Sequence, residues 1–502
     1  MYYKNILEYF EQHCKEDPHK TVCEDDRVSY SYEEAYFRSR QIASAILKEG
    51  NKGAAAILLD QSADAFVSML GTVYAGDYYT ILDSKSVENR LKLIVDKLEP
   101  KCLITDKEHL SVAKAIYQGR ILLIEEVGND IDEKKLTDVR RRSIDTDPVY
   151  VLFTSGSTGV PKGTVVSHRS IISYATAVNE TFRFDWNTVF GNQTPFYFSM
   201  SVLDVFCTIT CGCTLVIIPK LYFTFVNKLI NYLNERKIDT IYWVPSAYQI
   251  VSRLKVLEKV RPEYLKNCLF AGEPMRAKVL NYWRKYLPDC LYANLYGPTE
   301  TTDTCTYWIA DREVADDESV PIGIPFNNCD ILVLDENNKE SNKGELCVRG
   351  SFVAFGYYDD PQKTDSAFTL NPLNPNYREY IYRTGDIVEY DKNGDLLYIS
   401  RKDYQIKHMG YRIELGEIET QLSAVDIIDA CICLYDEKED KIVVIYSGKE
   451  DDETIHRESE NRLVRYMRPQ TVIYLKQMPI NANGKIDRAL LKKKYTEGEF
   501  NG

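Results

Sequence analysis

Short apolar runs alternate with segments of helical periodicity along this chain. The runs have the length and composition of buried strands. They lie at Ala54–Leu59, Cys102–Ile104, Ile121–Ile124 and Thr214–Ile218. Phe225–Arg236 repeats its apolar residues at helical spacing, and the strand-like run Thr240–Val244 follows it. The alternation predicts an α/β fold with a largely parallel sheet covered by helices.

The most distinctive segment is Phe153–Gly163, which reads FTSGSTGVPKG and follows an apolar run at Val151–Phe153. Hydroxyl groups, backbone N–H groups freed by glycine and one mobile lysine suit such a loop to wrapping a polyphosphate. It is not a Walker A motif, because Pro161 precedes Lys162 and Gly163 follows it. The loop therefore predicts nucleotide binding of another type.

Composition narrows the function classes. A chain of 502 residues that is 44% hydrophobic can bury substantial cores, and its length predicts about two to four domains. The net charge of −13 disfavours a general nucleic-acid binder. The basic run Arg140–Arg142 is expected to be a solvated face. With no cleavable leader and no apolar stretch near about 18 residues, we expect a cytoplasmic protein that does not bind membranes.

The thirteen cysteines show no CxxC pair and no metal-ligand spacing with histidine. Cys207, Cys211 and Cys213 lie in an apolar run, which predicts buried thiols rather than metal ligands. Scattered free thiols also fit a reducing compartment.

Four further motifs follow the loop in order along the chain. They are Asn294–Glu300 (NLYGPTE), Tyr382–Asp386 (YRTGD), Arg401–Asp403 (RKD) and Asn481–Lys485 (NANGK). Together with the loop, they resemble the core motifs of adenylate-forming enzymes, the superfamily of acyl-CoA synthetases, luciferases and nonribosomal peptide synthetase adenylation domains. The chain looks most like free-standing adenylation domains and D-alanine:carrier protein ligases. The resemblance implies an AMP-forming acid–thiol ligase.

The resemblance also implies two domains. A large N-terminal adenylation core of sheets flanked by helices would span residues 1–402. A small, mobile α+β lid would span residues 403–502 and would hinge at Asp403. The pattern near this boundary agrees, because a strand-turn-strand signal around Asp391–Gly394 gives way to charged residues at Arg401–Tyr404.

By the same resemblance, the substrates include ATP with Mg²⁺. Lys485 would be the catalytic residue that bridges the attacking carboxylate and the α-phosphate, and Glu300 would bind the metal. Tyr296 would stack on adenine, while Asp386, assisted by Arg401, would accept the ribose hydroxyls. The ATP-binding residues implied are Thr154, Ser155, Gly156, Ser157, Thr158, Gly159, Lys162, Gly272, Glu273, Asn294, Tyr296, Gly297, Thr299, Asp386 and Arg401.

The acid-binding pocket departs from the family at Ser199. Members that activate α-amino acids normally have an aspartate there, which pairs with the substrate ammonium. Serine cannot replace that charge, so an ordinary α-amino acid is not the expected substrate. Asp303 could instead meet a distal amine or hydroxyl, which favours an aryl acid, a hydroxyaryl acid or a β-amino acid. Asp204 is an alternative acid but is expected to be structural. The pocket residues implied are Ser199, Met200, Leu203, Tyr242, Leu269, Ala271, Leu295, Asp303 and Thr304.

The resemblance implies a second reaction, in which the acyl group passes to a thiol. The segment after Lys485 is too short for a phosphopantetheine-bearing module, so we expect a carrier protein in trans, with coenzyme A as the alternative acceptor. His408 and Met409 depart from the family's usual residues before Gly410. A nucleotide-binding regulator without activity and an oxidative enzyme of luciferase type are the hypotheses from other classes.

Overall fold

The computed structural model describes residues 3–50, 52–156, 160–402, 405–480 and 486–500. The chain divides into two compact units. The first comprises residues 1–84, 95–153 and 163–402, and the second comprises residues 85–94, 154–162 and 403–502. The second unit thus includes two short segments in addition to the C-terminal one. The domain boundary expected at residue 402 remains a prediction.

The largest sheet of the first unit carries the strands that lead to the candidate site. Its strands are β1 (Thr21–Glu24), β2 (Ser29–Ser31), β9 (Val189–Asn192), β10 (Thr214–Ile217), β11 (Thr240–Trp243), β12 (Asn267–Phe270), β13 (Leu291–Tyr296), β14 (Thr306–Ile309) and β15 (Ile324–Pro325). They lie in the order β15-β14-β13-β12-β11-β9-β10-β1-β2. Neighbours from β1 to β13 are parallel. Antiparallel pairings occur at the two ends, where β2, β14 and β15 lie.

A second sheet of the first unit repeats the parallel pattern. Its strands are β3 (Ala54–Leu58), β4 (Tyr78–Ile81), β5 (Cys102–Thr105), β6 (Arg120–Leu123), β7 (Pro148–Thr154) and β8 (Lys162–Ser167), in the order β6-β5-β3-β4-β7-β8. Every residue of β3 is buried, as expected for a parallel strand covered on both faces. The apolar runs at 54–59, 102–104, 121–124 and 151–153 therefore predicted β3, β5, β6 and β7 correctly.

An antiparallel sheet completes the first unit. It consists of β16 (Cys329–Leu334), β17 (Lys343–Gly350), β18 (Phe368–Leu370), β19 (Tyr380–Tyr390) and β20 (Leu396–Arg401). This sheet carries the YRTGD motif on β19. It thereby fixes Asp386 opposite Arg401, its register partner on β20.

Helices alternate with these strands along the chain. They are α1 (Ile6–Glu16), α2 (Tyr32–Ile46), α3 (Ala63–Tyr74), α4 (Glu88–Leu98), α5 (Leu110–Ile116), α6 (Glu133–Arg142), α7 (His168–Phe182), α8 (Ser201–Cys211), α9 (Val226–Glu235), α10 (Pro245–Arg253), α11 (Ala277–Tyr286) and α12 (Pro361–Ala367). Ser31 and Glu34 form a capping box at the start of α2, which satisfies two backbone N–H groups. The helical spacing in residues 225–236 corresponds to α9.

The second unit has its own apolar core on both faces of a sheet. The elements are β21 (Gln405–His408), β22 (Tyr411–Glu414), α13 (Leu415–Ser423), β23 (Ile428–Asp436), β24 (Lys441–Gly448), α14 (Asp452–Arg462), β25 (Thr471–Tyr474) and α15 (Arg488–Thr496). Along β23, Cys431 and Cys433 enter one cluster while Ile432 and Leu434 enter another. This alternation follows from the two-residue period of a strand.

Three further sequence expectations concern the whole chain. All thirteen cysteines are free, and Cys207 and Cys213 are buried while Cys211 is partly buried. The basic run forms the last turn of α6, where positive charge complements the helix dipole. Arg140 pairs with Glu11 at 3.0 Å. No helix among the described residues is long and apolar enough to cross a membrane.

Candidate active site

The carboxyl ends of β11, β12 and β13 bring several predicted site residues together. Tyr242 is the register partner of Leu269, and Leu269 is the partner of Ala293. Because these strands are parallel neighbours, the residues that follow them meet at one edge of the sheet, where ligands of α/β folds bind. The residues that this topology places together are Tyr242, Leu269, Ala271, Gly272, Glu273, Asn294, Leu295 and Tyr296.

A buried polar cluster joins this edge to the antiparallel sheet. The Tyr296 hydroxyl donates a hydrogen bond to Asp386, and Arg401 Nη1 lies 2.8 Å from Asp386 Oδ1. Asp386 is only 2% exposed. Burial, followed by the charge of Asp386, raises the pKa of the Tyr296 hydroxyl. Two motifs more than eighty residues apart in sequence therefore meet in one cluster.

Asn294 and Glu273 are held by backbone groups near that edge. The Asn294 amide donates to the Pro321 carbonyl at 2.7 Å. The Ser246 N–H donates to Glu273 Oε2 at 2.8 Å, so Glu273 caps the start of α10. The contacts fix both side chains, whereas the roles in ATP binding that the resemblance implies for them remain predictions.

Glu300 is a fully buried carboxylate. The Tyr357 hydroxyl donates to its Oε1 at 2.6 Å. No group of three or more His, Cys, Asp or Glu side chains in the described ranges could hold a metal alone. A single buried carboxylate nevertheless fits Mg²⁺, which commonly takes one or two protein carboxylates and completes its shell with substrate phosphates and water.

The backbone after β13 is tightly constrained around Gly297 and Thr302. A Cβ added to Gly297 would lie 2.4 Å from Thr304 Cα and 2.5 Å from the Asp303 carbonyl oxygen, so only glycine fits there. Thr302 has a φ of +72°, a costly conformation for a β-branched residue. Its hydroxyl donates to the Phe352 carbonyl at 2.7 Å, which holds this conformation. The strained turn determines the direction of the Asp303 side chain.

Asp303 forms hydrogen bonds with two tyrosines from different elements. The Tyr174 hydroxyl of α7 lies 2.7 Å from Asp303 Oδ2, and the Tyr242 hydroxyl lies 3.2 Å from the same oxygen. Tyr174 also lies 3.0 Å from Thr304 Oγ1. Burial raises the pKa of Asp303 to about 7, although the two tyrosine hydrogen bonds oppose this shift. Tyr174 was not predicted from sequence, since no local motif marks a helix residue far from Asp303.

The other pocket residues are mainly apolar and buried. Ser199 carries no charge, and its Oγ lies 3.0 Å from Thr299 Oγ1. Asp204 is fully buried, and the Asn192 amide donates to its Oδ2 at 2.7 Å, an arrangement that agrees with the expected structural role. The buried apolar members are Met200, Leu203, Leu269, Ala271 and Leu295.

The described part of the predicted phosphate-binding loop, Phe153–Gly163, lies at the end of β7 and the start of β8. Thr154 Oγ1 is buried and has no hydrogen-bond partner within the described ranges. Ser155 Oγ donates to the Arg412 carbonyl at 2.9 Å within the second unit, and Lys162 is buried. The expected site residues Ser157, Thr158, Gly159, Asp403 and Lys485 lie outside the described residues.

The segment around Gly410 is a tight hairpin within the second unit. His408 and Tyr411 are register partners on β21 and β22, and both intervening residues have positive φ, +53° at Met409 and +81° at Gly410. A two-residue turn of this kind favours glycine. His408 is buried, and its Nδ1 lies 2.8 Å from Asp440 Oδ1, whereas Met409 is 55% exposed.

Comparison with known proteins shows the family to which this chain belongs. The model of AMP-binding enzymes matches residues 10–358, and the chain belongs to this family of adenylate-forming ligases. The resemblance read from the motifs is thereby confirmed. Gramicidin S synthase 1 of Brevibacillus brevis is 30% identical over 501 residues, which cover 97% of this chain and 44% of that protein. The chain spans about half the length of the first curated relatives it matches.

Solved structures confirm the fold class. PA1221, a nonribosomal peptide synthetase protein with adenylation and PCP domains, gives a TM-score of 0.81 at 22% identity, covering 98% of this chain and 84% of that one. The o-succinylbenzoate CoA synthetase of Bacillus subtilis gives a TM-score of 0.82 at 18% identity, covering 97% and 98%. At sequence identities of 22% and 18%, the similarity to these two structures shows a shared fold and no more.

Proposed function

We propose that this enzyme activates a carboxylic acid with ATP and then transfers the acyl group to the phosphopantetheine thiol of a separate carrier protein. The main support for this proposal is the buried cluster of Tyr296, Asp386 and Arg401 beside the carboxyl ends of β11–β13. It joins two motifs of the adenylate-forming family at the edge of the sheet where a nucleotide is expected to bind. An AMP-binding family member needs such a polar site for the nucleoside.

In the first half-reaction, a carboxylate oxygen attacks the α-phosphorus of ATP. The bond to the bridging oxygen breaks, and pyrophosphate leaves with the electron pair. Repulsion between the anions makes positioning and positive charge the main requirements. We assign ribose binding to Asp386 with Arg401, adenine stacking to Tyr296 and phosphate contacts to the loop of residues 154–162.

Lys485 is proposed to lie between the attacking carboxylate and the α-phosphate. Thr154 supports the assignment of the loop, because a buried hydroxyl without a partner among the described residues is an unused donor for a phosphate oxygen. Glu300 would hold Mg²⁺, and the metal would offset the negative charge of the phosphates.

In the second half-reaction, a thiolate sulfur attacks the acyl carbonyl carbon, and AMP leaves with the electrons of the broken C–O bond. We propose that residues 403–502 form a mobile lid that hinges at Asp403. Its movement would remove Lys485 from the active site and bring in the loop around Gly410. The relative that carries a PCP domain supports a carrier protein. The CoA synthetase of the same fold keeps coenzyme A as the alternative acceptor.

ATP–pyrophosphate exchange over amino, aryl, hydroxyaryl and fatty acids tests the first half-reaction. Exchange that depends on one acid class is expected, and exchange with none of them would contradict the proposal. The acceptor is tested with adenylate made in place and then offered a phosphopantetheinylated carrier protein or coenzyme A. Faster acylation of coenzyme A than of any carrier would replace the proposed acceptor with the alternative one.

A further inference from the structure

Asp303 and Asp204 are buried carboxylates at the predicted acid pocket, and no described lysine, arginine or histidine pairs with either. Asp303 and Asp204 are at most 3% exposed. Burial comes first among the causes that raise the pKa of each, and no lysine, arginine or histidine of the described chain offsets it. Buried carboxylates ordinarily pair with a cation, because losing water is costly for the charged form. The described residues therefore leave these two carboxylates without a compensating positive charge.

The two acids differ in accessibility. Asp204 Oδ1 is sealed in the protein without a hydrogen-bond partner among the described residues. Asp303 Oδ1 likewise accepts no hydrogen bond from the described residues. Unlike Asp204 Oδ1, it is not one of the fully buried polar atoms without a partner. Asp303 Oδ2 holds both tyrosine hydroxyls. One oxygen of Asp303 is thus anchored by the two tyrosines, whereas no described residue donates a hydrogen bond to the other.

We infer that the substrate acid carries a protonated amine on a carbon other than the α-carbon, and that Asp303, positioned by Tyr174 and Tyr242, binds this amine. The inference rests on the proposed function and narrows its substrate class. An ammonium complements a buried carboxylate, whereas the hydroxyl of a hydroxyaryl acid would leave its charge uncompensated. Ser199 offers no charge at the family's position for an α-ammonium.

Tyr174 is assigned a positioning role on the side opposite Tyr242. It approaches from α7, whereas Tyr242 belongs to β11. Its ring packs edge-on against Phe352 with centroids 5.4 Å apart, which restricts where the hydroxyl can point. With two rigid donors on one oxygen, the carboxylate plane is fixed before the substrate arrives.

Matched acids test the inference in ATP–pyrophosphate exchange. The panel contains β-alanine, γ-aminobutyrate, δ-aminovalerate and aminomethylbenzoate, each with its hydroxyl and methyl counterparts, together with ordinary α-amino acids. We expect at least one displaced-amine acid to exceed its neutral counterparts by about 10²-fold in kcat/KM, because losing the cation leaves Asp303 unpaired. Preference for a neutral acid or for an α-amino acid would overturn the inference.

Single substitutions test whether Asp303 causes the preference for a displaced amine. Asp303→Asn keeps the shape and the acceptor for both tyrosines, and it should reduce the amine-to-methyl ratio by about 10²-fold. Tyr174→Phe should lower this ratio less. Tyr32→Phe is the matched control, since that buried hydroxyl donates to the Thr208 and Cys213 carbonyls, at 3.2 Å and 3.0 Å, and not to Asp303; it should keep the ratio. An unchanged ratio in Asp303→Asn would overturn the inference. If this variant does not fold, the substrate preference of the wild-type enzyme in the exchange panel tests the inference.

The pH profile supplies a second readout. Among the described residues, the titratable groups that face Asp303 are Tyr150, Tyr174, Asp204, Cys207 and Tyr242. All are neutral or acidic, so the kcat/KM for a displaced-amine acid should rise with pH as Asp303 ionises. Tyr174→Phe removes a donor that favours the carboxylate and should move the midpoint to higher pH. Exchange with neutral acids only, or a midpoint that Tyr174→Phe leaves in place, would contradict the inference while the adenylation function stands. Exchange with no acid would instead contradict the proposed function.

Discussion

Asp386 is a buried carboxylate that pairs with an arginine, whereas no described cation pairs with Asp303. Arg401 pairs with it at 2.8 Å, and the two side chains are 11% and 3% exposed. Removing one partner of such a pair leaves the other uncompensated, with a cost of about 3–5 kcal/mol. A conservative replacement of the acid is therefore more informative than truncation of the arginine.

Asp386→Asn should raise the KM for ATP by about 10–100-fold, since a charged acceptor for the ribose hydroxyls is lost. Initial rates of pyrophosphate exchange at varied ATP give this value. Glu389→Gln is the matched control on the same strand, where the carboxylate forms an exposed pair with Lys343 at 3.0 Å. Such a pair contributes little, so an equal rise in KM in both variants would contradict the assignment to ribose.

His168 makes the first unit sensitive to acid. Burial lowers its pKa to about 3, and the charge of Arg140 adds to this shift. The unfolded chain binds a proton near the ordinary pKa of about 6.5, whereas the folded protein does not. Stability from this group is therefore fully present above that value and is lost progressively as pH falls toward the folded pKa, by about 1.4 kcal/mol per pH unit.

Urea unfolding followed by tryptophan fluorescence tests this slope at about pH 7 and about pH 5.5, on either side of the ordinary histidine pKa. All four tryptophans belong to the first unit, so the signal reports on that unit. His168→Gln should flatten the decline in unfolding free energy. His456→Gln, at an exposed position of α14, should retain it, and identical slopes in all three proteins would refute the prediction.

At the scale of elements, α2 and α3 approach each other closely at Gly71. A Cβ added there would lie 2.7 Å from Ile42 Cγ2 and 2.9 Å from the Ser39 carbonyl oxygen. Alanine would gain about 1 kcal/mol in helix propensity. Overpacking costs about 1–3 kcal/mol, so the contact outweighs the gain because a backbone oxygen cannot turn away.

Gly71→Ala should accordingly lower the unfolding free energy by up to about 2 kcal/mol, the cost of overpacking less the gain in helix propensity. Gly128→Ala serves as the control, because no heavy atom lies within 4 Å of its added Cβ. That variant should stay within about 0.5 kcal/mol of the wild type. A stabilised Gly71→Ala protein would show that the two helices separate at little cost.

Elements with strong local patterns were predictable from sequence, and contacts between distant elements were not. The runs at 54–59, 214–218 and 240–244 correspond to β3, β10 and β11, because a buried parallel strand is apolar on both faces. The approach of Tyr174 to Asp303 has no such signal, since it depends on how α7 packs on the sheet. The strain at Thr302 was equally hidden, because sequence does not reveal a positive φ at a threonine.

At the scale of the whole molecule, the proposed chemistry consists of two half-reactions that need different residues. Lys485→Ala should lower adenylate formation by about 10²–10³-fold, the usual effect of losing one preorganised donor. Acyl transfer from a preformed adenylate should largely survive. Lys492→Ala changes an exposed lysine of α15 and is expected to leave both steps unchanged. Equal losses in both steps for Lys485→Ala would count against separate roles.

The parallel pairing of β1 with β10 has a consequence during synthesis on the ribosome. Cys23 is the register partner of Leu215, so the first strand emerges long before its neighbour exists. At about 5–20 residues per second, the roughly 190 intervening residues take about 10–40 s to translate. Throughout this time Val22 and Cys23, both fully buried in the finished protein, are exposed on the nascent chain. The order in which the chain is made thus leaves the edge of β1 that pairs with β10 without its neighbour until residue 215 has been translated.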